Sequence, residues 1–157
     1  MRARDAFFSI LIAFVTGCGS KGAVSLTVSI ESANVELEEL ALGTRLGGEF
    51  DLLMDLGPEA ESDTQVSVEA FGLARGEETL ISPLEVVPEG AEFPLTVPKG
   101  GRRQVHFVLG SDTQLVDPTD AARICAGSLQ IVGALRDSLN DGKLTPIRSR
   151  ELTPSGC

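Results

Sequence analysis

The chain has 157 residues and a formal net charge of −10, from 23 acidic and 13 basic side chains. That balance repels nucleic acid and anionic lipid head groups, and with no Trp and no Tyr the chain lacks most of the aromatic faces on which bases and sugars stack. Beyond a short leader, roughly 140 residues remain, enough for one domain with its own core.

The leader is the first element in chain order. Arg2 and Arg4 make a positive start, Ala6 to Val15 is an apolar run broken only by Ser9, and the small residues Thr16 and Gly17 precede Cys18. A basic start, an apolar stretch of about 7–15 residues and small residues at the cut mark a secretory signal, here over residues 1–17. The run falls short of the roughly 20 apolar residues that a transmembrane helix needs.

Val15-Thr16-Gly17-Cys18 resembles the lipobox of bacterial lipoproteins: an aliphatic residue, two small residues, then cysteine. The resemblance implies a diacylglyceryl thioether on Cys18, cleavage before it and acylation of the new amine. Small residues let the processing enzyme reach the backbone beside the thiol, and only cysteine offers the nucleophilic sulfur. Two or more acyl chains hold stably where one holds marginally, so the implied anchor is permanent. Gly19, not aspartate, follows the cysteine. By analogy with enterobacterial lipoproteins this implies the outer membrane, facing the periplasm or the surface. Residues 18–23 then form the lipidated cysteine and a flexible tether, and residues 24–157 the domain.

Alternation dominates the domain. Val24, Leu26, Val28 and Ile30 share one face of a strand, as do Phe50, Leu52, Met54 and Leu56. Val66, Val68 and Ala70 follow, then Phe93, Leu95 and Val97, then Val105, Phe107 and Leu109, then Leu129, Ile131, Gly133 and Leu135. A last strand is expected over 147–152. Turn signals separate the runs at Gly47-Gly48, Gly57-Pro58, Pro88-Glu89-Gly90, Pro98 to Gly101 and Asn140-Asp141-Gly142. Pro83 makes the stretch 80–87 an edge strand, and its edge near Ile81 to Val87 is an expected contact surface for a partner strand. The stretch 117–124 offers a single helical turn after Pro118. About seven to nine short strands divided by turns predict an all-β sandwich.

The strand order, and above all FPLTVPKGGRRQVHFVLG, resembles bacterial immunoglobulin-like modules: an apolar strand, a Pro-Gly-Gly turn, then an alternating strand. The resemblance implies an antiparallel immunoglobulin-like sandwich. The chain departs from antibody domains in having no core Trp and no cysteine pair between the sheets.

With Cys18 lipidated, Cys125 and Cys157 remain, and an exported domain is expected to pair them. A hairpin centred on Asp141, within the Asn-Asp-Gly turn, places Cys125 opposite Cys157 at its open end.

No catalytic constellation emerges. His106, the single histidine, is expected on the sheet face opposite Val105 and Phe107, with Ser111 and Asp112 only its neighbours in sequence. There is no GxSxG elbow, and one histidine with two paired cysteines cannot supply a zinc site. The run Asp137 to Gly142 departs from a calcium loop, with Leu139 at its third position and Arg148 at its twelfth. The acidic groups Glu36/Glu38/Glu39, Glu59/Glu61/Asp63 and Glu77/Glu78 are expected near turns, solvated. The reading is therefore a non-enzymatic, lipid-anchored binding or structural module of the cell envelope, with a protein partner there, no nucleic acid, no metal and no cofactor. A small periplasmic enzyme or inhibitor, or a calcium-dependent adhesion module, is the alternative.

Overall fold

The computed structural model describes residues 26–110 and 115–157. The lipobox residues Val15, Thr16 and Gly17, the cysteine Cys18, and Ser111 and Asp112 lie outside the described residues.

Ten strands form two five-stranded antiparallel sheets packed as a sandwich. In chain order they are β1 (Leu26–Leu40), β2 (Gly43–Leu56), β3 (Thr64–Arg75), β4 (Glu78–Ile81), β5 (Val86–Glu89), β6 (Leu95–Val97), β7 (Arg102–Leu109), β8 (Leu115–Val116), β9 (Gln130–Asp137) and β10 (Leu144–Arg148). One helix, α1 (Pro118–Cys125), lies between β8 and β9. The first sheet runs β1-β2-β7-β5, with β8 added to β2; the second runs β10-β9-β3-β4, with β6 added to β3. The count exceeds the expected seven to nine because β5, β6 and β8 are separate pieces of two to four residues.

The first hairpin is longer than the alternation suggests. A bulge between Glu31 and Asn34 sets two residues of β1 against one of β2. Before it, even-numbered residues such as Ile30 face the core; after it, Val35 and Leu37 do. Glu36, Glu38 and Glu39 therefore lie on a strand and not at a turn. Gly47-Gly48 is likewise inside β2, opposite Glu36 and Val35. Gly48 has φ +135°, and a Cβ there would lie 2.3 Å from the Asn34 carbonyl oxygen, so the bulge demands glycine.

The expected single edge strand over 80–87 is instead two strands in different sheets. β4 pairs with β3 and β5 with β7, and the chain crosses between the sheets at Pro83. A strand that changes sheets makes a corner of the sandwich. The crossing is held by Leu84 N–H to the Phe71 carbonyl (2.8 Å) and Gly110 N–H to the Glu85 carbonyl (3.0 Å). Pro88 and Glu89, expected in a turn, end β5.

α1 has eight residues, twice the expected turn. Asp117 caps it, its Oδ1 accepting from Thr119 N–H at 2.7 Å, and Ile124 is buried beneath it. The last strand lies over Leu144–Arg148, earlier than expected, and Leu152 returns only as a bridge to Leu129.

The structure contains the Cys125–Cys157 disulfide, with Cα atoms 5.6 Å apart. It does not arise from the hairpin register. The β9–β10 ladder is centred on Asn140, pairing Arg136 with Leu144, and Cys125 is the last residue of α1. The segment after β10 carries Cys157 across instead. Leu152 exchanges two hydrogen bonds with Leu129, both 2.9 Å; Ser155 accepts from Leu37 N–H and donates to the Val35 carbonyl. Residues 152–157 thus cover the side of the sandwich where β1 meets β9 and β10.

The core is apolar apart from the buried Thr64, Asp137 and Ser149. Phe50, Phe71 and Phe107 meet at centroid distances of 4.8–5.2 Å, and half-buried Phe93 lies 5.9 Å from Phe107.

Candidate functional site

On the opposite side of the sandwich, where β5 faces β3, the crossing at residues 83–85 bonds both sheets, through Leu84 to Phe71 and Gly110 to Glu85. Beyond β3 on that side, β6 pairs only with Thr64 to Val66 and β4 only with Leu73 to Arg75. Among the described residues, no strand pairs with Ser67 to Ala70 there. The result is a groove of about 530 Å³ between the two sheets. Phe71 and Phe107 form its buried floor and Phe93 stands beside them. Val68 and Ala70 of β3 make one wall; Val86 and Val87 of β5 make the other. Val87 is 57% exposed, comparable with Leu144 of β10 at 52%. The charged residues lining the groove are both acidic, Glu69 and Glu85, and Glu89 and Glu92 adjoin it in sequence. Glu69 is paired with Arg136 at 2.6 Å.

A concave, mainly apolar site with a few polar groups at its rim suits a binding role. Two other depressions differ. One, of about 450 Å³, lies at the β1 bulge and is lined by Gly47, Gly48, Gly110 and charged side chains. The other lies along Glu36, Glu38 and Glu39 against residues 155–157. Both have more polar linings, offering little apolar surface to a ligand.

The one conspicuous titratable cluster lies on the outer face of the first sheet. His106 of β7 pairs across the sheet with Asp51 on one side and Glu89 on the other. Its Nδ1 is 3.0 Å from Asp51 Oδ1, and its Nε2 is 3.4 Å from Glu49 Oε2. The hydrogen bond that His106 donates to Asp51, with the charges of Asp51, Glu49 and Glu89, raises the imidazole above its ordinary value, against a smaller opposing effect of burial. The same bond lowers the Asp51 carboxyl. Ser32 bonds to Asp51 and the other ring nitrogen faces Glu49, so among the described residues histidine and carboxylate have no hydroxyl aligned for attack. The cluster is an ion-pair network on a half-exposed sheet face.

The remaining sequence-flagged groups have structural duties. Asp137 caps the 3-10 turn over Ser138–Asn140, accepting from Leu139 N–H at 3.1 Å and Asn140 N–H at 3.0 Å. Glu78 binds Arg123 of α1 at 2.7 Å, and Asp63 accepts from Lys99 N–H at 2.9 Å. Among the described residues, no three His, Cys, Asp or Glu side chains come together as metal ligands would. Nor is any helix there long and apolar enough to cross a membrane.

The stretch Ile81 to Val87, expected from the sequence as a contact edge, supplies one wall of the groove, while the other wall, Val68 and Ala70, comes from a separate strand and carries no local sign. No family model, no curated protein and no solved structure matches the chain.

Proposed function

We propose that the chain is a lipid-anchored module of the bacterial cell envelope whose β-sandwich binds a partner without catalysing a reaction. The lipobox-like Val15-Thr16-Gly17-Cys18 supports the anchor, and an outer-membrane position belongs to the same proposal. So does the immunoglobulin-like resemblance of the sandwich. The observation that carries the binding role is the apolar groove between β3 and β5, with its aromatic floor and exposed Val87.

The test is made in intact cells with the full chain. Mass analysis of the purified protein is expected to show a diacylglyceryl Cys18 at the new N-terminus, and Cys18→Ala to leave the membrane fraction. A photocrosslinking amino acid at position 87 is expected to trap one discrete envelope component, and the same group at exposed Leu144 on β10 to trap none. Equal background capture at both positions would defeat the binding role. A membrane-bound Cys18→Ala protein would defeat the anchor.

A further inference from the structure

We propose that the Cys125–Cys157 disulfide is a redox latch: a dithiol reductant opens it, residues 153–157 leave β1, and the sandwich stays folded. The latch is independent of the groove and of the membrane anchor.

The disulfide joins two peripheral pieces. Cys125 is the last residue of α1, and Cys157 ends a segment laid outside both sheets. Neither cysteine belongs to a strand. The two sheets are bonded together on the far side of the sandwich, through Leu84 to Phe71 and Gly110 to Glu85. Cys157 is exposed and Cys125 is half-buried, so Cys157 is the more open of the two to an attacking thiol.

Apart from the disulfide, little fastens residues 153–157. Among the described residues, the backbone hydrogen bonds that hold them are the two of Ser155, from Leu37 N–H at 2.9 Å and to the Val35 carbonyl at 3.0 Å. Pro154 is buried, while Thr153, Ser155 and Gly156 are exposed. Gly156 is fixed at φ +76° against the Leu37 backbone, and glycine gives up the most freedom of any residue on ordering. Fixing one residue's backbone costs at least what one hydrogen bond returns net. Two hydrogen bonds and one buried proline do not offset the ordering of five residues. The closed disulfide makes up the difference by holding Cys157 beside Cys125, with Cα atoms 5.6 Å apart. Leu152 is held differently. It exchanges two hydrogen bonds with buried Leu129, and nearby Ser149 is bonded to Ile131 of β9. The segment therefore hinges at Thr153. Closed, it caps Leu37 N–H and the Val35 carbonyl on the outer edge of β1; open, it bares them.

The chemistry is thiol–disulfide exchange with a dithiol. One of its thiolates attacks the Cys157 sulfur and forms a mixed disulfide, and the Cys125 sulfur leaves with the electron pair and takes up a proton. The reductant's second thiol gives up its proton and attacks the reductant's own sulfur in the mixed disulfide. That closes the reductant's disulfide and releases Cys157, which is protonated in turn. The dithiol is oxidised, and both cysteines are reduced.

The test uses the full chain carrying Cys18→Ala, so that only Cys125 and Cys157 can exchange. Amide hydrogen exchange is followed before and after addition of dithiothreitol. In the oxidised chain the amides of Leu37, Ser155, Leu129 and Leu152 should be protected alike, within about tenfold. After reduction, Leu37 and Ser155 should exchange about a hundredfold or more faster than Leu129 and Leu152, and independently of urea, as local opening does. Reoxidation should restore the first pattern. Cys125→Ser combined with Cys157→Ser should show the second pattern with no reductant present. Leu37 and Ser155 still protected like Leu129 and Leu152 after reduction would overturn the latch, because the segment would then hold itself. Reduction that proceeds only at the rate of global unfolding would overturn it too, as would loss of protection throughout the sandwich once the disulfide is open.

Discussion

Gly156→Ala tests how residues 152–157 are held. Gly156 has φ +76°, and a Cβ there would lie 1.8 Å from the Leu37 carbonyl oxygen, 2.8 Å from its carbon and 3.2 Å from its nitrogen. All three atoms are backbone, so no side chain can turn aside. A left-handed conformation alone costs a non-glycine residue about 1–2 kcal/mol. The cheaper escape is for the segment to leave β1, which forfeits the two hydrogen bonds between Ser155 and the Val35–Leu37 backbone. At about 1 kcal/mol each net, with some lost packing, the loss is about 2–3 kcal/mol. Urea unfolding should register that loss with the slope unchanged. Exchange of the Leu37 amide should accelerate by about 30- to 140-fold, since each 1.4 kcal/mol is a factor of ten, while the disulfide still forms. An unchanged midpoint with a fully protected Leu37 amide would refute the reasoning.

Replacing Cys125 and Cys157 together by serine should cost about 3–4 kcal/mol, the chain-entropy value for residues 32 apart in sequence; a loss below about 1 kcal/mol in calorimetry would contradict it. For His106, the raised imidazole gives stability that is full below its unfolded value of about 6.5 and is lost as pH rises through the higher folded value. The lowered Asp51 carboxyl acts oppositely, its contribution present above its unfolded value and lost as pH falls through the folded one. His106→Gln should flatten the stability profile above pH 6.5, measured by urea titration at several pH values; an unaltered slope would show the pair to be energetically idle. Millimolar calcium should leave Tm unchanged, because the acidic groups of the described residues do not converge in threes. A rise of several degrees would favour calcium-dependent adhesion.

Much of the fold is legible in the sequence wherever the physics is local. Phe50, Leu52, Met54 and Leu56 recur at every second position, with Asp51 and Asp55 among the residues between them, and all four are buried on β2. Asn140-Asp141-Gly142 turns the last hairpin because Asp141 and Gly142 adopt positive φ, which these residue types tolerate. Local reading fails where a partner strand decides. Val35 and Leu37 follow a bulge that reverses the inward face, so β1 looks in sequence like two unrelated stretches. Glu38 is compatible with a strand because Arg45 sits opposite it on β2 and binds its carboxylate.

By itself the sequence carried the all-β character and the set of phenylalanines that would fill a core, and the lipobox resemblance of Val15-Thr16-Gly17-Cys18 rests on it alone. These depend on residue type and on the two-residue period of a strand, which act over a few positions. Only the tertiary structure decided that the chain crosses between sheets at Pro83, that Cys157 reaches Cys125 across a segment laid along β1, and that Val68 and Ala70 of β3 face Val86 and Val87 of β5 across an aromatic groove. Each is a meeting of backbones far apart in the chain. Their hydrogen bonds depend on which strands become adjacent, and no local pattern carries that information.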